Sequence, residues 1–299
     1  MLKRFGNGAH SHIVTLLMTF KHGDNYHFIF PRAEYDLLYY FEAIPHPERS
    51  LKRVRWLAEQ CLRITEAVHL IHFPPRADNT TSEGALFGRH GDIKSENILV
   101  FNDGNGTDVL VLSDFGLGSM HHDRSRSNVP NKGIPATPGF RPPECDMEGG
   151  TISRAFDIWS LGCLFLDILV WFLGGEDLRR QFEDARMTPH ITGVNTPIYF
   201  EILSTESGNN RYRVKEEVID WFAKMHSHPN CTHFVHEFLD LIERRMLLVE
   251  SRNQLRARTP ELLDQLKIFH EKCEGQNYQA YCLDQAPLKR LSSRVPQDC

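Results

Sequence analysis

Cysteine is sparse and unordered in this chain, with seven residues in 299, an odd number, and no Cys-x-x-Cys pair. Neither a disulfide framework nor a zinc ribbon is therefore suggested, and a reducing, intracellular setting in cytoplasm or nucleus is expected. No stretch of signal-peptide type opens the sequence. The most apolar segment, Leu161 to Gly175, is short for a membrane span and carries Asp167, so no membrane partner is expected. A long basic run is also missing, and the net charge is only -5, which leaves no electrostatic case for nucleic acid. No internal repeat occurs. About two-fifths of the residues are apolar, enough for one large core or two unequal ones.

Two kinds of periodicity are present. Ile13 to Phe20 and Tyr26 to Phe30 are β-prone runs broken by Lys21-His22-Gly23-Asp24-Asn25, which predicts a hairpin. Ile98 to Phe101 and Val109 to Leu112 flank Asn102-Asp103-Gly104-Asn105-Gly106 and predict a second one. Val54, Leu57, Cys61, Ile64, Val68 and Ile71 recur at helical steps, stopped by Pro74-Pro75. Helical patterns then cover Phe156 to Phe172, Lys215 to Met225, Thr232 to Leu248 and the segment from Thr259-Pro260-Glu261 to about Cys273. Strands first and helices afterwards indicate an α+β fold with a helical body. Arg76 to Gly88 reads as a loop, and the stretch from about Glu274 as a disordered tail.

One constellation carries chemistry. Phosphoryl transfer needs a carboxylate to orient or deprotonate the attacking hydroxyl, a cation near the transferred group, and oxygen ligands for magnesium. The run His90-Gly91-Asp92-Ile93-Lys94-Ser95-Glu96-Asn97 supplies all three types, with Asp92 as base, Lys94 as cation and Asn97 as metal ligand. Asp114, in Ser113-Asp114-Phe115-Gly116, adds a second oxygen ligand, and the hairpin between them sets the two stretches side by side.

These motifs resemble the protein kinase family. Further segments follow in the family's order: Ala136-Thr137-Pro138-Gly139-Phe140-Arg141-Pro142-Pro143-Glu144 resembles the end of an activation segment, Asp157-Ile158-Trp159-Ser160-Leu161-Gly162 the start of the central helix, and Arg256-Ala257-Arg258-Thr259-Pro260-Glu261 the late segment. The resemblance covers about residues 1 to 272. It implies a bilobal fold with a mainly helical carboxyl-terminal lobe, an incomplete sheet lobe, and a catalyst that uses ATP and Mg2+ on a protein substrate. By it, Thr137 bonds the catalytic Asp92 and Lys94, pointing to serine or threonine acceptors. Phe30 guards the back of the nucleotide pocket, Pro31 and Ala33 belong to the hinge, Leu99 lies under the base, and Ser113 precedes the metal ligand. Arg256 pairs with Glu144, Asp157 caps backbone around the catalytic loop, and His90 is a packed residue rather than a proton carrier.

Three departures matter. Gly91 stands where the family carries the arginine that answers a phosphate on the activation segment, so that phosphorylation is not expected to be needed. The glycine-rich loop, strand lysine and helix glutamate have no counterpart, Gly6-Asn7-Gly8 being a plain turn, and a truncated chain is expected. The expected divisions are 1–33 as a remnant of the sheet lobe and hinge, 34–273 as the helical lobe, and 274–299 as tail. A non-catalytic kinase-like scaffold is the alternative, and a small-molecule kinase of the aminoglycoside or choline type ranks below it. His226, His228, Cys231, His233 and His236 gather near one helix entry without a second cysteine pair, and a histidine-rich helix entry is preferred over zinc.

Overall fold

The computed structural model describes residues 10–75, 87–121, 129–131, 137–189, 193–204 and 210–289. Gly6-Asn7-Gly8 and most of the loop expected at Arg76 to Gly88 lie outside them. The first hairpin pairs β1 (Met18–His22) with β2 (Asn25–Ile29), antiparallel, with Gly23 at φ 60° in the turn. Only a residue without Cβ takes that conformation cheaply. The chain before β1 is not strand but is held to the body, where Ile13 and Val14 join the main core and Val14 N–H donates to the Leu112 carbonyl at 2.9 Å.

β3 (Tyr35–Asp36) leads into α1 (Leu37–Ala43), capped by Asp36, whose side chain accepts from Tyr39 N–H at 2.8 Å. α2 (Leu51–His72) follows, capped by Ser50, with Val54, Leu57, Cys61, Ile64, Val68 and Ile71 all buried as the helical spacing requires. β4 (Phe87–Arg89) introduces the catalytic-loop run, and β5 (Ile98–Asn102) pairs with β6 (Asp108–Leu112). These join β3 in a three-stranded sheet of order β3-β5-β6. β7 (Ser119–His121) returns to pair with β4, and β8 (Val129–Pro130) pairs with β9 (Thr151–Ile152).

The central helix α3 (Ala155–Ala185) outruns the apolar segment that announced it. Past Phe172 it is held by ion pairs at helical spacing: Arg179 to Glu176 and Glu183, and Arg180 to Glu176. Gly175, at φ 78°, breaks the helical backbone where Pro45 crosses, and Glu176 N–H donates to the Pro45 carbonyl at 2.9 Å. Among the described residues α3 alone is long and apolar enough to cross a membrane, and its most apolar window is wholly buried, as a core helix is.

The stretch from Thr188 forms two hairpins, β10 (Thr188–Pro189) with β11 (Asn195–Thr196) and β12 (Phe200–Ser204) with β13 (Asn210–Val214). α4 (Glu216–His226), α5 (His233–Leu241) and α6 (Thr259–Glu274) complete the helical body. A π-helical turn, Ile242–Met246, ends α5 earlier than the pattern to Leu248 implies.

Residues 275–289 correct the expectation of a disordered tail. Cys282 is buried, Ala286 N–H donates to the Cys231 carbonyl and Leu288 N–H to the His226 carbonyl, each at 2.8 Å. Polar composition hides this because the contacts are backbone bonds. The histidine cluster serves the same docking: His236 Nε2 bonds the Ala286 carbonyl, and its Nδ1 lies 2.7 Å from His226 Nδ1.

Candidate active site

The loop between β4 and β5 is fixed from beneath. Asp157, fully buried at the start of α3, accepts from His90 N–H and His72 Nε2 on one oxygen (2.8 and 2.9 Å) and from Gly91 N–H on the other (2.8 Å). Burial alone would raise its carboxyl, but the His72 and His90 rings and the Gly91 N–H outweigh that and hold it below the usual range. Gly91 sits at φ 82°, and a Cβ there would lie 3.0 Å from the Leu117 carbonyl oxygen. The loop shape therefore requires glycine or strain.

His90 is also fully buried. Its Nε2 lies 3.0 Å from the Ser113 carbonyl and so donates, which leaves Nδ1 to accept from Asp92 N–H at 3.3 Å. Both nitrogens are used by the neutral ring, and burial lowers its pKa. The residue is a strut between the loop and the Ser113-Asp114 turn.

Four predicted residues meet around one carboxylate. Asp92 Oδ1 accepts from Thr137 Oγ1 at 2.7 Å; Oδ2 accepts from Asn97 Nδ2 at 2.8 Å and lies 3.1 Å from Lys94 Nζ. Lys94 Nζ also donates to Thr137 Oγ1 at 2.9 Å, and Asn97 Nδ2 to the Asp92 carbonyl at 2.8 Å, so the ring of contacts closes. A carboxylate oxygen accepts about two bonds. Oδ2 is full and Oδ1 has room for one more donor, such as a substrate hydroxyl.

Asn97 spends its side-chain nitrogen on Asp92, leaving its side-chain oxygen Oδ1 for a cation. Asp114 is exposed, adopts φ 57°, unusual for a residue with Cβ, and takes the Gly116 N–H at 3.0 Å on Oδ1. Ser113 ties the two stretches, its N–H and Oγ both donating to the Asn97 carbonyl at 2.9 Å. One carboxylate and one amide oxygen are hard donors of the type magnesium takes.

Leu99 is partly buried in β5, opposite Asp36 of β3 and Val111 of β6. Phe30 packs on the same core, Glu34 N–H bonds the Val100 carbonyl at 3.0 Å, and Ala33 N–H and C=O make no hydrogen bond among the described residues. A backbone donor and acceptor thus remain one residue before the Glu34 to Val100 bond. Pro31 offers only a carbonyl.

Glu144 and Arg256 form a two-pronged pair at 2.7 and 2.8 Å, with Arg256 also donating to the Leu248 carbonyl. His72 and Arg89 were not singled out from the sequence. Their roles depend on contacts across the fold, Arg89 lying opposite Ser119 between β4 and β7.

A family model described as the protein kinase domain matches residues 1–245. The chain belongs to the protein kinase family. Among curated relatives, cyclin-dependent kinase C-1 of Arabidopsis thaliana is 39% identical over 80 residues, 27% of this chain and 15% of that protein. CTD kinase subunit alpha of Schizosaccharomyces pombe is 33% identical over 132 residues, covering 41% and 21%. Cyclin-dependent kinase 8 of Drosophila melanogaster is 26% identical over 166 residues, covering 54% and 34%. The kinase chain thus spans about a third or less of the length of these relatives.

Proposed function

We propose that this chain carries the catalytic loop of a serine/threonine protein kinase using ATP and Mg2+. The observation that carries the reading is the Asp92 carboxylate, held by Lys94, Asn97 and Thr137 with one acceptor position open on Oδ1. A substrate hydroxyl donating to that position is oriented for attack as its proton moves toward Asp92. Lys94 neutralises charge that develops on the transferred group, acting in a preorganised position that costs no rearrangement. Thr137 locks both side chains to the segment that binds a peptide, which is why the acceptor is read as serine or threonine.

Bound magnesium supplies charge neutralisation between nucleotide phosphates, and Asn97 Oδ1 and the Asp114 carboxylate are the groups that would hold it. Adenine docks against Ala33 backbone groups, with Phe30 behind and Leu99 beneath. The substrate is a protein, and the setting is intracellular, in cytoplasm or nucleus. Since several relatives are named cyclin-dependent kinases, a cyclin-type partner is part of the proposal. Incubation with Mg2+, labelled ATP and peptides differing only in serine, threonine or tyrosine tests it. Label on serine or threonine peptides supports the reading; label on tyrosine alone would contradict the acceptor assignment. No label on any peptide, with no nucleotide binding, favours a kinase-like scaffold.

A further inference from the structure

His226 ends α4 fully buried, and a chain of bonds selects the tautomer of its ring. His236 Nε2 donates to the Ala286 carbonyl, which can only accept. A neutral His236 ring therefore carries its one proton there, and its Nδ1 accepts. Cys231 Sγ, a weak donor, lies 3.5 Å from that nitrogen, and His226 Nδ1 lies 2.7 Å from it. The proton between the two rings then belongs to His226 Nδ1. Placing it on His236 instead would charge a ring that is buried as well. His226 Nε2 is left with its lone pair, and a histidine whose other ring nitrogen is engaged in this way is mounted as metal-binding histidines are.

Two carboxylates surround that lone pair. Asp240 Oδ1, on α5, lies 3.6 Å from His226 Nε2, too far for a hydrogen bond. Glu243, three residues on, brings a third ligand atom, and the three atoms lie within 4.8 Å of one another. Around a tetrahedral zinc ion with bonds of about 2.1 Å, neighbouring ligand atoms stand roughly 3.4 Å apart, so the His226 to Asp240 spacing already matches one edge. Glu243 belongs to the π-helical turn Ile242–Met246, a backbone deviation that recurs at functional sites. Asp240 and Glu243 are half-buried, which gives an ion a route from solvent. Arg244 Nη2, 3.6 Å from Asp240 Oδ1, is on a side chain 64% exposed and can swing aside.

We propose that His226 Nε2, Asp240 and Glu243 bind a Zn2+ ion, with water as the fourth ligand. One imidazole and two carboxylates suit zinc better than magnesium, which prefers oxygen alone. Of the histidines and cysteine gathered near this helix entry, only His226 is a ligand, and His236 is its support. The ion joins α4 to α5. It also steadies residues 275–289, because the His226 carbonyl accepts from Leu288 N–H and His236 holds the Ala286 carbonyl. The inference concerns binding and does not rest on turnover.

The test uses the untagged full chain, stripped with EDTA and dialysed, with Zn2+ alone as ligand and Co2+ as its visible probe. Wild type should bind one ion at this site, show a saturable rise in melting temperature with Zn2+, and give the strong visible absorption of four-coordinate Co2+. Excess Mg2+ should not compete. Glu243→Gln and Asp240→Asn change half-buried positions and keep side-chain size, and each should weaken Zn2+ binding at least about 10-fold. Amide hydrogen exchange at Ala286 and Leu288 should slow on Zn2+ addition in wild type and stay unchanged in Glu243→Gln. Equal Zn2+ affinity in wild type and both variants, as from histidines elsewhere or from Asp114, or no saturable response in wild type, overturns the inference. Failure of the peptide assay leaves it untouched.

Discussion

Thr137 is the smallest part of the site with the most specific contact set, because one hydroxyl donates to Asp92 and accepts from Lys94. Thr137→Val keeps the shape and deletes both bonds. Stability should change little, since the residue is half-exposed, while kcat falls roughly 10- to 100-fold, as expected for loosening a base in a reaction governed by positioning. Unchanged kcat in a steady-state peptide assay would show that Asp92 is held without it.

A second residue-scale consequence concerns acid. Burial lowers the His12 pKa from 6.5 to about 4, although its bond to the Leu110 carbonyl pulls the other way. The folded chain therefore binds fewer protons than the unfolded one below pH 6.5. His12 contributes fully to stability above that pH, and the contribution is lost as pH falls toward 4, about 3 kcal/mol in all. His90 adds an effect of the same sign. Urea denaturation from pH 7 to 4 should show this slope, reduced in His12→Gln.

The contacts among Asp92, Lys94 and Asn97 were legible in the sequence because the three lie within one short loop, where spacing stands in for distance. Arg89 and His72 were not, because each is defined by Asp157 or Ser119, far away in the chain.

Among the elements, α3 shows what periodicity reveals and what it hides. Its apolar run to Phe172 was legible; its continuation to Ala185 was not, because charged residues on a helix end look like loop until their pairing is seen. α1 was missed for another reason, since seven residues carry too little periodicity to register. Gly175 marks the join. Its φ of 78° and the collision of a Cβ with the Pro45 carbonyl mean that Gly175→Ala must shift backbone and stretch the Glu176 to Pro45 bond. A loss of about 2–3 kcal/mol in urea denaturation is expected, and a loss below about 0.5 kcal/mol would show that the kink absorbs a side chain freely. The β1–β2 hairpin shows the opposite case, an element legible as a hairpin although its first strand runs Met18–His22 rather than from Ile13, and its Met18, Phe20, Tyr26 and Phe28 are exposed, a solubility hazard.

At the scale of the molecule, one ion pair joins distant parts of the chain. Arg256, fully buried, reaches across to Glu144 beyond the catalytic segment and also bonds the Leu248 and Ala155 carbonyls. Burial works against its charge, and Glu144 more than compensates. Arg256→Ala leaves Glu144 uncompensated, and a loss of about 3–5 kcal/mol is expected. Deleting both partners should cost less than the sum of the single changes, as a double-mutant cycle would show.

The central claim is that Asp92 positions the acceptor hydroxyl during transfer from Mg-ATP. The direct measurement is initial-rate phosphorylation of a serine peptide by wild-type chain and by Asp92→Asn, with circular dichroism confirming that both are folded. We predict a roughly 10²- to 10⁴-fold drop in kcat with little change in nucleotide affinity, the range general-base groups supply. Equal rates in the two proteins would contradict the account.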